Sequence, residues 1–143
     1  MDNSEASLET LINHIIDRQE VCYLSFINQH GFPTTRAMLN PRKRQGLRQF
    51  YLTTNSKSQK VQSLLANPKA GLYFYDRPLY QGIAFMGNVE VIHDQTIKDE
   101  VWHNMDTLFY ENNTDPDYCV LKFTAISARF YHDYQSTDLT IDS

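Results

Sequence analysis

The chain has 143 residues, 41% hydrophobic, 21% charged and 13% aromatic, and carries a formal net charge of −4. This composition fits one folded domain with its own core, excludes wholesale disorder, and is opposite in charge to what duplex nucleic acid selects. No apolar run approaches bilayer-spanning length, and the acidic start, Met1 to Glu5, carries no signal-like stretch, so the expectation is a cytoplasmic protein with neither membrane nor nucleic-acid partner.

In chain order, Ser7 is placed to cap a helix whose apolar positions Leu8, Leu11, Ile12, Ile15 and Ile16 fall on one face. Val21 to Asn28 then reads as a strand, Gln29-His30-Gly31 as a turn, and Phe32 to Leu39 as a returning strand, with Pro33 favouring an edge. A basic loop with Arg42, Lys43, Arg44 and then Arg48 follows and reads as a solvated hairpin tip, with Leu47 to Thr54 as a third strand. A short helix is expected from Lys57 to Ala66, with Val61, Leu64 and Leu65 inward and Asn67-Pro68 as its stop. Lys69 to Tyr75 and Gly82 to His93 are further strands. Tyr73 and Tyr75 share a face opposite Phe74, and Gly87 is a candidate bulge or kink. Gln95 to Tyr110 has helical periodicity through Ile97, Val101, Met105 and Leu108. Tyr118 to Thr124 and Ala128 to Tyr134 read as two closing strands. Residues 135–143 are expected as a loosely ordered tail of a single domain spanning 1–143.

Six or seven short strands with flanking helices predict an α+β protein, mainly β, built as an antiparallel split barrel. Cys22 and Cys119 sit in separate apolar runs and read as reduced core residues. His14, His30, His93, His103 and His132 form no HxH or HxxxH pair, so no metal is expected. Trp102 reads as core or interface packing, or as a wall of a pocket.

Chemistry concentrates where the third strand gives way to a helix, at Thr53-Thr54-Asn55-Ser56-Lys57-Ser58-Gln59-Lys60. Unpaired N–H groups and the positive dipole end at a helix start attract anions, and hydroxyls and ammonium groups surround this one. A plain capping box, with Ser56 as N-cap and Gln59 as its reciprocal partner, accounts for the same pattern without a ligand. Arg36, among Thr34, Thr35, Ala37 and Met38, either faces solvent or offers its planar fork to an anion.

Gly31-x-Pro33-x-x-Arg36-x-Met38, Phe50-Tyr51-x-Thr53, Ser58-x-Lys60 and Asn67-Pro68, in this order, resemble the FMN-binding split barrel of the pyridoxamine-phosphate-oxidase-like superfamily. The run Asp115-Pro116-Asp117-Tyr118-Cys119-Val120-Leu121 is similar to its general-stress-protein-26-like branch, and the likeness extends from about Leu8 to Tyr134. The resemblance implies a homodimer with FMN at the subunit interface. It implies phosphate contact by Arg36, with Ala37 and Met38 running beside the ring system. It implies further cofactor contacts by Thr53, Thr54, Ser58 and Lys60, and a flavin contact by Gln81. Departures bear on the reaction. The oxidase proper has an arginine where Gln59 stands, and it has a C-terminal segment, absent here, that completes the pyridoxal pocket. Pyridoxamine phosphate oxidation is therefore not expected. The functional expectation is a flavin-dependent oxidoreductase of unnamed substrate. The alternatives are a non-catalytic flavin-binding or stress-related module, and a haem-binding split barrel using His132. No catalytic residue is named.

Overall fold

Burial alternates along the strands and decides which side of each becomes core. In β1 (Val21–Ile27), Cys22, Leu24 and Phe26 are buried while Val21 and Tyr23 stay exposed. The computed structural model describes residues 3–141. After α1 (Asn3–Arg18) and β1 come β2 (Pro33–Leu39), β3 (Lys43–Gln45), β4 (Gln49–Asn55), α2 (Gln59–Ala66), β5 (Lys69–Asp76) and β6 (Gln81–Ile92). They are followed by α3 (Gln95–Val101), a 3-10 turn (Asn104–Leu108), β7 (Tyr118–His132) and β8 (Gln135–Thr140).

The eight strands pair antiparallel in the order β2-β1-β5-β6-β7-β4-β3, with β8 also on β7. β4 pairs with the first half of β7 and β8 with its second half, on the same side. β2 lies in contact with β4 outside the ladder, which rolls the sheet into an α+β split barrel. Phe50, Phe74, Phe85, Phe123 and Phe130 fill it without exposure, with Phe50 and Phe85 ring centres 4.9 Å apart. Full burial of each ring contributes about 1.5–3 kcal/mol. α1 closes one opening with Ile12, Ile15 and Ile16.

Several sequence expectations change, each for an identifiable reason. α1 begins before Ser7, so Ser7 is an interior helical residue and not its cap. The two strands expected across 118–134 are one strand, β7. Met86 faces Ser127 and Gly87 faces Ala125, so Ile126 is absorbed as a bulge and pairing continues. Gly87 is required there, because a Cβ would lie 2.1 Å from the Thr124 carbonyl oxygen. The segment after residue 134 forms β8. Asp133 and Tyr134 both adopt positive φ (50° and 61°), the conformation of a tight two-residue hairpin. Neither residue is glycine or asparagine, which hid the turn. The helix expected from Gln95 to Tyr110 stops at Val101. Arg42 takes the Val101 carbonyl at 3.0 Å, and Trp102 turns extended to pack its ring 5.0 Å from that of Tyr118. Met105 and Leu108 consequently face solvent, as does Leu65 on α2.

Candidate functional site

The site begins with an asparagine that bends the chain out of β4. The Asn55 side-chain oxygen accepts from the Lys57 amide at 2.8 Å, and its carbonyl accepts from the Ser58 amide at 3.1 Å. Ser58 is then the N-cap of α2, with extended backbone and its Oγ accepting from the Val61 amide at 3.4 Å. The Ser56–Gln59 capping box is thus replaced by a Ser58 cap, and Ser56 turns away to donate its hydroxyl to the Pro116 carbonyl at 2.8 Å. This leaves the amides of Gln59 and Lys60, the first two of the helix, without an acceptor among the described residues. The Ser58 hydroxyl accepts the cap bond and still has its proton to donate.

Lys60 is half-buried and has no carboxylate or hydrogen-bond partner among the described residues. Burial, and after it the nearby positive charge of Arg36, pushes its ammonium below the ordinary lysine range, only partly offset by Cys119. Two cations therefore lie close enough to oppose each other. The Arg36 guanidinium makes one described hydrogen bond, from Nη1 to the Thr35 carbonyl at 3.1 Å, and meets no acid among the described residues. Lys57, in contrast, pairs with Asp117 at 3.2 Å.

Register fixes which of the expected residues share this face. Arg36 stands opposite Leu24 and Met38 opposite Cys22, both on the core side of β1, so Arg36 rises from the barrel's inner face beside buried Met38. Thr54 stands opposite Cys119 and is 7% exposed, again on the inner face. Arg36, Met38 and Thr54 thereby share the barrel's inner face, and Ser58 and Lys60 follow Thr54 at the start of α2. Thr53 and Ala37 alternate to the other side of their strands, offering only backbone there. Gln81 is not brought to the cluster. It starts β6 opposite Asp76, whereas Thr54 is level, through Cys119 and Val120 of β7, with the far end of that strand at Ile92. Its side-chain oxygen is nevertheless buried without a hydrogen-bond partner.

The basic loop is no solvated tip. Arg42 forks onto Asp106, with Nη2 to Oδ1 at 2.9 Å, at side-chain exposures of 14% and 5%. Lys43 pairs with Glu100, and Arg44 with Asp17 at 2.9 Å. Burial alone would raise the Asp106 carboxyl. The Arg42 hydrogen bonds, the His103 amide and the neighbouring positive charge outweigh it and hold the group below the ordinary carboxylate range. Burial pushes the Cys119 thiol to about 11 and the Cys22 thiol to about 12, so both are inert core groups. Among the described residues, no three His, Cys, Asp or Glu are grouped to hold a metal ion, and no helix is long and apolar enough to cross a membrane.

The role of Ser56 was missed by sequence reading. Its partner lies 60 residues away, and nothing local marks it.

The chain is a split barrel in which a lysine and two helix-start amides without described partners lie at the start of α2, with an arginine of β2 near enough to act on that lysine. Residues 8–132 match the family model described as pyridoxamine 5'-phosphate oxidase, and the chain belongs to that family. Among solved structures it is similar to a protein from Clostridium acetobutylicum described as related to general stress protein 26, at 28% identity and TM-score 0.87, over 94% of this chain and 95% of that one. General stress protein 26 from Bacillus anthracis matches at 21% identity and TM-score 0.77, over 92% and 98%. A haem-binding protein from Mycobacterium smegmatis shares the fold at 12% identity and TM-score 0.73, over 98% of this chain and 59% of that one. Among curated proteins, none matches.

Proposed function

We propose that this chain binds FMN by its phosphate between α2 and β2 and serves as a flavin-dependent oxidoreductase. The observation that carries this reading is Lys60, half-buried and without a counter-ion beside Arg36, where a phosphate dianion would relieve two opposed charges at once. The residues fit the group. Gln59 and Lys60 offer amides, Ser58 and Thr54 offer hydroxyls, and Arg36 offers a fork. Thr53 and Ala37 would contribute through backbone, and Met38 would line the inner wall. Family membership favours flavin over other phosphate esters. FMN would supply the redox chemistry when bound, and the protein would hold its phosphate and shield it from water.

The reading includes a homodimer. On the outer face, Tyr23, Tyr73 and Ala84 lie in one cross-strand row and Tyr75, Gly82 and Tyr131 in the next. Gly82 makes room for the Tyr73 ring, whose hydroxyl would lie 2.2 Å from any Cβ there. Val21, Leu39 and Met86 are 40%, 49% and 57% exposed on the same face, and a groove of about 590 Å³ runs across it. An apolar face of this kind fits a second copy of the chain. Reduced, buried Cys22 and Cys119 fit a cytoplasmic setting.

The haem-binding neighbour motivates a second reading, which His132 disfavours. Its ring stacks on Phe130 at 4.7 Å, and its nitrogens already meet Asp133 at 3.4 Å and Thr137 at 3.3 Å. Ligation of iron would break one of these contacts.

Titration with FMN and with riboflavin, followed by flavin fluorescence, tests the proposal. FMN is expected to bind at least about tenfold more tightly, the worth of one charge-assisted hydrogen bond. Equal affinities would remove the phosphate site. NADH or NADPH reduction with turnover to an acceptor then separates an enzyme from a flavin-binding module.

A further inference from the structure

The loop that presents the open amides leans on a second loop. The β4–β7 ladder ends at Asn55 opposite Tyr118. One residue on, Ser56 continues the contact in a different form. Its amide donates to the Asp117 carbonyl at 2.8 Å and its hydroxyl to the Pro116 carbonyl at 2.8 Å. Immediately afterwards the chain turns through Lys57 into α2.

The supporting loop is itself held from behind. The Asp115 carboxylate accepts from the amides of Asp117 at 2.9 Å and Glu111 at 3.0 Å, which hold it below the ordinary range. The Asp115 carbonyl accepts from Lys98 Nζ at 3.2 Å. Lys98 is a lysine only 4% exposed, and its own carbonyl receives the buried Tyr118 hydroxyl at 2.8 Å. A hydrogen-bonded train thus runs from α3 through the Asp115–Tyr118 turn to Ser56.

We propose that Ser56 is a positioning residue for phosphate recognition: by anchoring the Asn55–Ser58 bend to the Asp115–Tyr118 turn, it aims the Gln59 and Lys60 amides at the phosphate site proposed with Arg36. The proposal rests on the phosphate reading above. Two anchors at one residue fix both the position and the rotation of the bend. The Lys57–Asp117 ion pair, with Lys57 78% exposed, adds little.

The test compares wild type, Ser56→Ala and Ser56→Thr for affinity toward FMN and riboflavin, together with ligand-free amide hydrogen exchange at Lys57 and Ser58, whose amides are bonded to Asn55. Ser56→Ala is expected to reduce the FMN-to-riboflavin affinity ratio about threefold to tenfold, the worth of one hydrogen bond, and to speed exchange at those amides. Ser56→Thr, which keeps the hydroxyl, is expected to restore both to within about twofold. An unchanged ratio, or an equal fall for both ligands, overturns the positioning role. A wild type that fails to distinguish FMN from riboflavin sinks the phosphate reading instead. Exchange then decides the brace alone, and unchanged exchange in Ser56→Ala overturns it.

Discussion

Arg42, Lys43 and Arg44 on one side, and Arg36 and Lys60 on the other, are cations of the same types serving opposite ends. Each member of the first group reaches a carboxylate, Asp106, Glu100 or Asp17, and the group ties α1, α3 and the 3-10 turn to the β3–β4 hairpin. The second group has no described acid, and its lysine is depressed by burial and by the arginine. The dense cluster is structural, and the sparse pair is the one left incomplete. Charge density along this sequence therefore marks ion pairs, whereas the half-buried cation without a described partner is the group a ligand would complete.

The largest expected effect comes from breaking the complete group. Arg42→Ala would leave the 4%-exposed Asp106 without its guanidinium and the Val101 carbonyl without a donor, at a cost of about 3–5 kcal/mol, read by urea unfolding. Because Asp106 is held below the ordinary carboxylate range in the fold, its contribution is present above about pH 4 and is lost as pH falls through the depressed value. The variant should accordingly lose much of the acid dependence of stability that wild type shows at low pH. The FMN affinity of the folded fraction should not change. A fall in FMN affinity with stability intact would erase the distinction between the two groups.

A smaller effect, confined to the ligand, is expected from the incomplete pair. Lys60→Ala should weaken FMN by about 1.5–3 kcal/mol and leave riboflavin unchanged. The ligand-free protein should become no less stable, since a desolvated, repelled ammonium has been removed. The pH sign follows from the same shift. The Lys60 ammonium in the fold titrates below its ordinary 10.5, so the ligand-free protein gains stability as pH rises between the two values. FMN affinity should fall over that window, and should rise through about pH 6 as the phosphate takes its second charge. A pH profile identical for FMN and riboflavin would assign the site to another chemistry.

How much of this was legible beforehand depended on how local the signal was. The alternating apolar residues of β1, β5 and β6 announce themselves, and so does the ladder irregularity at Gly87, because strand period and glycine geometry act over a few residues. The hairpin that creates β8 was hidden because Asp133 and Tyr134 take left-handed conformations without glycine. The break after Val101 was hidden because its cause, Arg42, lies 59 residues away. At the proposed site, Arg36, Ser58 and Lys60 stand out in the sequence as residue types and through the family resemblance. The Ser58 cap, the freed amides of Gln59 and Lys60, and the Ser56 anchor do not, since each depends on where the chain turns and on what lies across the sheet. Gln81 carried an expectation of flavin contact that one chain alone does not bring to the start of α2.

The mildest perturbation also separates the two groups most directly, because it supplies the missing acid. Gln59 is exposed at the first position of α2, next to Lys60. Gln59→Glu would give Lys60 and Arg36 the carboxylate that Arg42, Lys43 and Arg44 already have, and would place a negative charge at the helix's positive end. Ligand-free stability should rise by about 0.5 kcal/mol, since a favourable helix-end charge and an exposed ion pair are each worth only tenths of a kcal/mol. The same carboxylate would compete with the phosphate for the amides, the ammonium and the guanidinium, so FMN should bind about threefold to tenfold more weakly while riboflavin is unaffected. Gln59→Lys should move both quantities the other way. Stability and FMN affinity shifting in opposite directions across this pair of variants is the signature of a site kept deliberately short of one negative charge. A shift in the same direction would mean that the charges at Arg36 and Lys60 are balanced by something other than a ligand.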